Sequence, residues 1–142
     1  MSMSEPILLE VVTPHKRVFS AQVSEVSFPS AANGYYGILP GHTPVMTPLG
    51  QGLIYYVQGG EKHWLTAFGG FAEVSSDHVT ILARDSETVD EIDLDRAEAA
   101  RQRALKVLKE AQTESDLSSA QAALDRSITR IQAAGHPGGH GF

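Results

Sequence analysis

The residues best suited to chemistry in this chain of 142 residues are four arginines in its last third. Arg126 and Arg130 stand four apart and share one face of a helix; Arg96 and Arg103, seven apart, share another. If the chain folds back about residue 114, Arg96 comes near Arg130 and Arg103 near Arg126. Like charges at i,i+4 destabilise a helix by ~0.2–0.5 kcal/mol, so four converging guanidiniums favour an anion between them. Asp93 has two readings: an acceptor for a nucleobase amino group or a ribose, or simply the N-cap of a helix. Asp95, Glu98 and Asp125 are placed to neutralise the arginines without any ligand, and Arg101 and Arg103 to be solvated.

No other constellation points to a reaction. Glycines and prolines are dense between residues 34 and 44, but no Gly-Lys-Ser/Thr follows, so this is not a cradle for a triphosphate. His42 has no Ser, Cys or carboxylate partner at a suggestive spacing and reads as a turn or contact residue. His136 and His140, on a glycine-rich tail, offer at most a stray metal contact. With no cysteine the chain has no disulfide and no thiolate site. The net charge of −6 argues against binding bare nucleic acid. That charge is uneven, with 4 Lys/Arg against 9 Asp/Glu in residues 1–90 and 7 against 8 in residues 91–142, so anion binding belongs to the second part. No apolar run approaches the ~20 residues of a membrane span. Residues 1–6 have neither a basic region nor an apolar stretch, so no export signal is expected. The expectation is a non-catalytic protein with no metal, no required cofactor, no nucleic-acid partner and no membrane insertion.

The elements that must position the arginines follow two grammars. Residues 1–90 read as short strands cut by turns. Ile7–Val12 is an apolar run before Pro14, Val26–Phe28 meets Pro29, and residues 35–39 lie between Asn33-Gly34 and Pro40-Gly41. Residues 53–57 and 62–66 flank Gly59-Gly60, a strong hairpin signal. Residues 71–74 and 78–83 flank Ser76-Asp77, a second one. Tyr35 and Tyr36 alternate on a strand, so one should be buried and the other exposed. Strands at this spacing, with no helix between them, predict an antiparallel β-sandwich or flattened barrel.

From Leu94 the period becomes helical. Leu94, Ala97, Ala100, Ala104, Leu105, Leu108 and Ala111 form one predicted inner face; Leu117, Ala120, Leu124, Ile128, Ile131 and Ala134 form another. Asp93 caps the first helix, residues 113–116 break and cap the second, and Gly135 stops it. So short a connection makes the helices antiparallel. The seam is mostly alanine, and the burial of its few large aliphatics falls short of the entropy of ordering it, a deficit that helical hydrogen bonds and propensity recover only in part. Such a hairpin needs a surface to dock on and separates from it at little cost. The predicted boundaries are a sandwich over 1–84, a linker over 85–91, a helical hairpin over 92–135 and a disordered tail over 136–142.

Two sets of motifs carry a resemblance. Gly34-Tyr35-Tyr36-Gly37-Ile38-Leu39-Pro40-Gly41-His42-Thr43-Pro44 resembles the G-x-x-G-I-x-P-G-H-x-P signature of ATP synthase epsilon subunits, the bacterial rotary type. Residues 68–74 followed by 79–83 are similar to that family's GG-x-x-E-V…V-T-V-L-A hairpin. Ile92-Asp93-Leu94-Asp95-Arg96-Ala97 resembles its I/L-D-x-x-R-A nucleotide motif, which Arg126 and Arg130 complete; Glu87 and Arg103 fall at matching distances. The resemblance runs from about Leu8 to Ala134.

What it implies is a central-stalk rotor subunit of a proton-translocating ATP synthase, at the cytoplasmic face of the bacterial plasma membrane. The implied partners are the gamma subunit, the c-ring and the alpha/beta catalytic head. Asn33, Gly34, Tyr35 and His42 are the implied c-ring and gamma contacts. Glu87, Ile92, Asp93, Arg96, Ala97, Arg103, Arg126 and Arg130 are the implied site for ATP as a regulatory ligand. The hairpin is implied either to fold against the sandwich or to extend into the head and block hydrolysis. The alternative that the same arginines allow is a free-standing ATP-binding sensor without catalytic activity.

Overall fold

The first strand shows why this half of the chain forms sheet. Ile7, Leu9 and Val11 are fully buried and alternate with half-buried Leu8, Glu10 and Val12, the period of a strand with one face on a core. The structure, a computed structural model, describes residues 6–32 and 34–136. Seven strands run in chain order: β1 Ile7–Val12, β2 Arg17–Val23, β3 Glu25–Ser30, β4 Gly34–Ile38, β5 Val45–Gln58, β6 Glu61–Val74 and β7 His78–Ala83. A turn of 3-10 helix, Val89–Glu91, precedes the helices α1 Leu94–Glu110 and α2 Glu114–Ala134.

The sheet order is β2-β1-β7-β6-β5-β3-β4, and every pair is antiparallel except β1 with β7. Phe19 of β2 stacks on Tyr56 of β5 with ring centroids 4.3 Å apart, although their strands lie far apart in the sheet order. The sheet therefore curls over its own core, and this closure makes it a flattened sandwich. Leu9, Val11, Val26, Phe28, Ile38, Ile54, Leu65, Val79 and Ile81 fill that core, which draws no residue from the helices.

The hairpin at Gly59-Gly60 is present, with φ of 60° and 81°, both in the left-handed region that a tight two-residue turn requires. The structure departs from the sequence reading in strand length. β5 and β6 are each 14 residues long, where the sequence predicts a strand over 53–57 alone and separate strands over 62–66 and 71–74. Glycines inside the ladder let it bend without ending. At Gly70 (φ +124°) an added Cβ would stand 2.0 Å from the Leu82 carbonyl oxygen. β2 is also an addition to that reading; its polar-looking sequence hides its pairing with β1 from Ile7↔Val23 to Val12↔Arg17.

Both helices start on their expected caps: Asp93 accepts from the Arg96 amide at 3.1 Å, and Thr113 from the Asp116 amide at 3.1 Å. Their buried face keeps the expected Ala97, Ala104 and Ala120 and departs from the expectation at the leucines. Ala97, Ala104, Ala120, Ser127, Thr129 and Ala133 are buried, whereas Leu94, Leu105 and Leu117 stay 46%, 37% and 44% exposed. Small residues win the seam because they let two backbones approach closely, which displaces the leucines to its flanks. α2 lies on β5 and β6. His136, counted with the tail on sequence grounds, stacks on Trp64 at 4.1 Å, so the helical end is held one residue further than expected. Residues 137–142, with the rest of the expected tail, lie outside the described residues. Among the described residues no helix is long and apolar enough to cross a membrane.

Candidate functional site

Close packing of α1 on α2 through alanine leaves a groove of about 700 Å³ beside the seam. Its floor is Ala97, Ala100, Ala104, Ala120 and Ala123, with Val107 at one end and Ser119 and Ser127 on the α2 wall. Four arginines line it: Arg96 and Arg103 from α1, Arg126 and Arg130 from α2. Antiparallel helices produce this gathering, since residues on opposite sides of a short turn face each other in reverse order. Glu87, Asp93 and Ala97 line the same groove; Ile92, half-buried at the joint, does not. Seven of the eight residues expected at the site therefore share one cavity.

Their charge states differ. Arg130 is engaged: its Nε donates to Glu87 at 2.6 Å, its Nη2 to Asp85 at 3.4 Å, and its guanidinium lies 4.8 Å over the Phe68 ring. Among the described residues the side chains of Arg96, Arg103 and Arg126 make neither ion pair nor hydrogen bond. Two of the three carboxylates expected to neutralise them are engaged elsewhere: Glu98 pairs with Arg101 at 3.9 Å, and Asp125 accepts from Gln121 at 2.9 Å. Asp93 serves its helix as a cap while lining the groove.

Glu91, Asp116 and the two serines were missed by the sequence reading, although a polar or small residue recurs along α2 at 116, 119, 120, 123 and 127, three to four apart. Glu91 is tied to Lys16, and this hydrogen bond, with one from the Thr88 amide, holds its carboxyl below the ordinary value. With Glu87, Glu91 and Asp93 each engaged by a protein donor, three guanidiniums remain to meet an anion. Three unpaired guanidiniums beside a lining of alanines have the chemistry to receive an anionic molecule with an apolar part. Among the described residues no group of three or more His, Asp or Glu could hold a metal.

The second set of expected residues is dispersed. Gly34 (φ +74°) opens β4 and Tyr35 follows it, 59% exposed, with its hydroxyl accepting from the Leu53 amide at 3.2 Å. Tyr36, by alternation, turns inward against Phe28, with centroids 5.6 Å apart. His42 lies beyond the other end of β4, its Nδ1 2.6 Å from the Thr43 carbonyl, beside a turn whose Gly41 amide donates to Ser76 at 2.7 Å. Asn33 lies outside the described residues.

Residues 7–89 match the family described as ATP synthase, Delta/Epsilon chain, beta-sandwich domain, and residues 90–135 its long alpha-helix domain. The ATP synthase epsilon chain of Nitratidesulfovibrio vulgaris (strain DP4) is 41% identical over 134 residues, 94% of this chain and 99% of that one. The ATP synthase epsilon chain of Herpetosiphon aurantiacus is 44% identical over 129 residues, 91% of this chain and 94% of that one. In fold, the chain is similar to one in a cryo-EM structure of the Euglena gracilis mitochondrial ATP synthase (OSCP/F1/c-ring). The TM-score there is 0.79 at 22% identity, covering 96% of this chain and 85% of that one.

Proposed function

The chain belongs to the delta/epsilon chain family of F-type ATP synthases, and from that premise we propose that it is a non-catalytic rotor subunit with two tasks. The sandwich mounts on the gamma subunit and the c-ring at the cytoplasmic face of the membrane, coupling proton-driven rotation to the alpha/beta head. The hairpin regulates: folded on the sandwich it permits turnover, and extended toward the head it blocks ATP hydrolysis. ATP in the groove favours the folded state by RT ln(1 + [L]/Kd), because the groove is lined by Glu87 and Glu91 of the segment that precedes the helices as well as by α1 and α2, and is complete only when the hairpin is docked.

The observation that carries the regulatory half is the groove with three guanidiniums unpaired and an alanine floor. The phosphates fit Arg96, Arg103 and Arg126; the floor leaves room for the base, and Asp93 supplies an acceptor. The mounting half is supported by exposed apolar side chains on the sandwich. Phe71 and Leu82 face each other across β6 and β7 and are 48% and 53% exposed, and Met46 is 65% exposed. Large side chains exposed on a sheet suit a protein contact.

Calorimetric titration of the isolated chain with ATP tests the groove. Heat is expected from the native chain and from the Lys106→Ala variant, and none from the Arg103→Ala, Arg126→Ala double variant. No heat from the native chain at millimolar ATP would retire the nucleotide site and leave the hairpin a purely mechanical element.

A further inference from the structure

Residues 85–91 join the sandwich to the helices, and they are not a free tether. Ser86, 2% exposed, donates to the Thr66 carbonyl at 2.6 Å. The Thr66 amide donates to the Glu87 carbonyl at 2.9 Å, the Glu87 amide to Thr66 Oγ1 at 2.9 Å, and the Phe68 amide to the Asp85 carbonyl at 3.1 Å. Thr88 bridges Leu65, and Glu91 is tied to Lys16 of the β1–β2 turn. The segment is zipped along β6 and belongs to the sandwich. Freedom begins at Ile92 and Asp93, both in extended backbone (φ −82° and −91°) between the last tie and the first turn of α1.

Beyond that pivot, α2 carries the docking. Thr129 Oγ1 accepts from Gln51 at 3.4 Å, Ala133 is fully buried, and His136 stacks on Trp64. Arg130 is the residue of this row that makes ionic contact across the pivot, with both of its carboxylate partners on the zipped segment. Its side chain is 27% exposed, as is that of Glu87, so the pair is partly desolvated and less screened than a surface pair. We propose that Arg130 is the latch of the hairpin: clamped by Glu87 and Asp85 and seated on Phe68, it holds α2 on the sheet in the ligand-free chain, and the helices swing as one body about Ile92–Asp93 when it releases. The latch rests on the reading of the hairpin as mobile. It adds where the pivot lies and which charges set the docked population.

The chain has a single tryptophan, and His136 covers it, so acrylamide quenching of Trp64 fluorescence reports docking. The fully undocked reference is the chain ended after Ile92, whose core cluster lies wholly within residues 7–83. In the full chain, Glu87→Gln with Asp85→Asn, and separately Arg130→Gln, are expected to raise the quenching constant about twofold, toward that reference. Lys16→Ala, on the sandwich side of the pivot, is expected to leave quenching unchanged, and the Thr66 and Phe68 amides to stay protected from exchange in every variant. Quenching unchanged in the latch variants, or a native chain already quenched like the reference, overturns the latch. Loss of Thr66 and Phe68 protection in the latch variants overturns the pivot. Mobility is judged separately, by whether Trp64 quenching rises when the native chain is bound to gamma.

Discussion

Arg96, Arg103 and Arg126 differ from Arg130 in one respect that decides their roles: Arg130 has carboxylates within 2.6 and 3.4 Å, and they have none. The convergence of these residues was legible in the sequence, since i,i+4 and i,i+7 spacing on two antiparallel helices fixes shared faces. Which arginine would be taken by Glu87 was not, because that depends on the 85–88 segment pairing with β6, a tertiary fact with no local signal. The same holds for Tyr55. Its hydroxyl donates to Glu25 at 2.6 Å, and this bond to a carboxylate, aided by burial, pushes the phenol up to about 12. A phenol raised in the folded state adds stability that is complete below its unfolded value of 10 and fades as the pH rises toward 12. Spectrophotometric titration of phenolate should therefore show Tyr55 ionising late, and Glu25→Gln should bring it forward by about one unit or more. At Gly70 the backbone geometry makes a further prediction. Gly70→Ala meets the Leu82 carbonyl at 2.0 Å with φ at +124°, and should cost about 3 kcal/mol or more in chemical denaturation. A loss below ~0.5 kcal/mol would mean that β6 and β7 can part there freely.

Among the elements, turn chemistry was read well and strand continuity poorly. Gly59-Gly60 announced its hairpin because only glycine adopts two consecutive positive φ angles without strain. Gly69-Gly70 sent the same signal and meant something else: a bend within one long strand whose partner, β5, bends with it around Gly50 and Gly52. Helical periodicity located α1 and α2 and the alanines of their inner face, Ala97, Ala104 and Ala120, but also counted Leu94, Leu105 and Leu117 there, which closeness of approach leaves at the flanks. The Val89–Glu91 turn shows an element held by charge. Glu91 has its carboxyl lowered and Lys16 its amine raised, each chiefly by the hydrogen bond between them. The lowered carboxyl contributes above its ordinary value of 4.5 and fails as the pH falls below it; the raised amine contributes below 10.5 and fails above. Protection of the Glu91 and Ile92 amides relative to their intrinsic exchange rates should accordingly hold across the neutral range and fall at both extremes before that of the β6 amides does. Protection unchanged down to pH 3 would show that the Lys16–Glu91 tie does not hold the turn.

The whole molecule is a sandwich with its own core and a helical pair that borrows its support. Because the core cluster ends at Ala83 and the 85–88 segment completes β6, the sandwich should survive removal of the helices when the chain ends after Ile92. Ending it at Ala83 would strip Ser86 from Thr66 and expose a buried edge. Binding to gamma should persist in the longer truncation and weaken at least tenfold in Leu82→Asp, which places a charge among Phe71 and its neighbours, with the sandwich still folded. Full affinity in that variant would move the mount to another face. The central claim, that one half mounts and the other restrains, is tested most directly in the assembled synthase. Hydrolysis and synthesis are measured with the full chain and with the chain ended after Ile92, at matched subunit occupancy and at low and high ATP. Synthesis should be retained by both, while hydrolysis should rise on truncation, most at low ATP, where an empty groove leaves only the Arg130 contacts to hold the full-length hairpin against extension. Equal hydrolysis by the two complexes at both ATP levels would contradict the account.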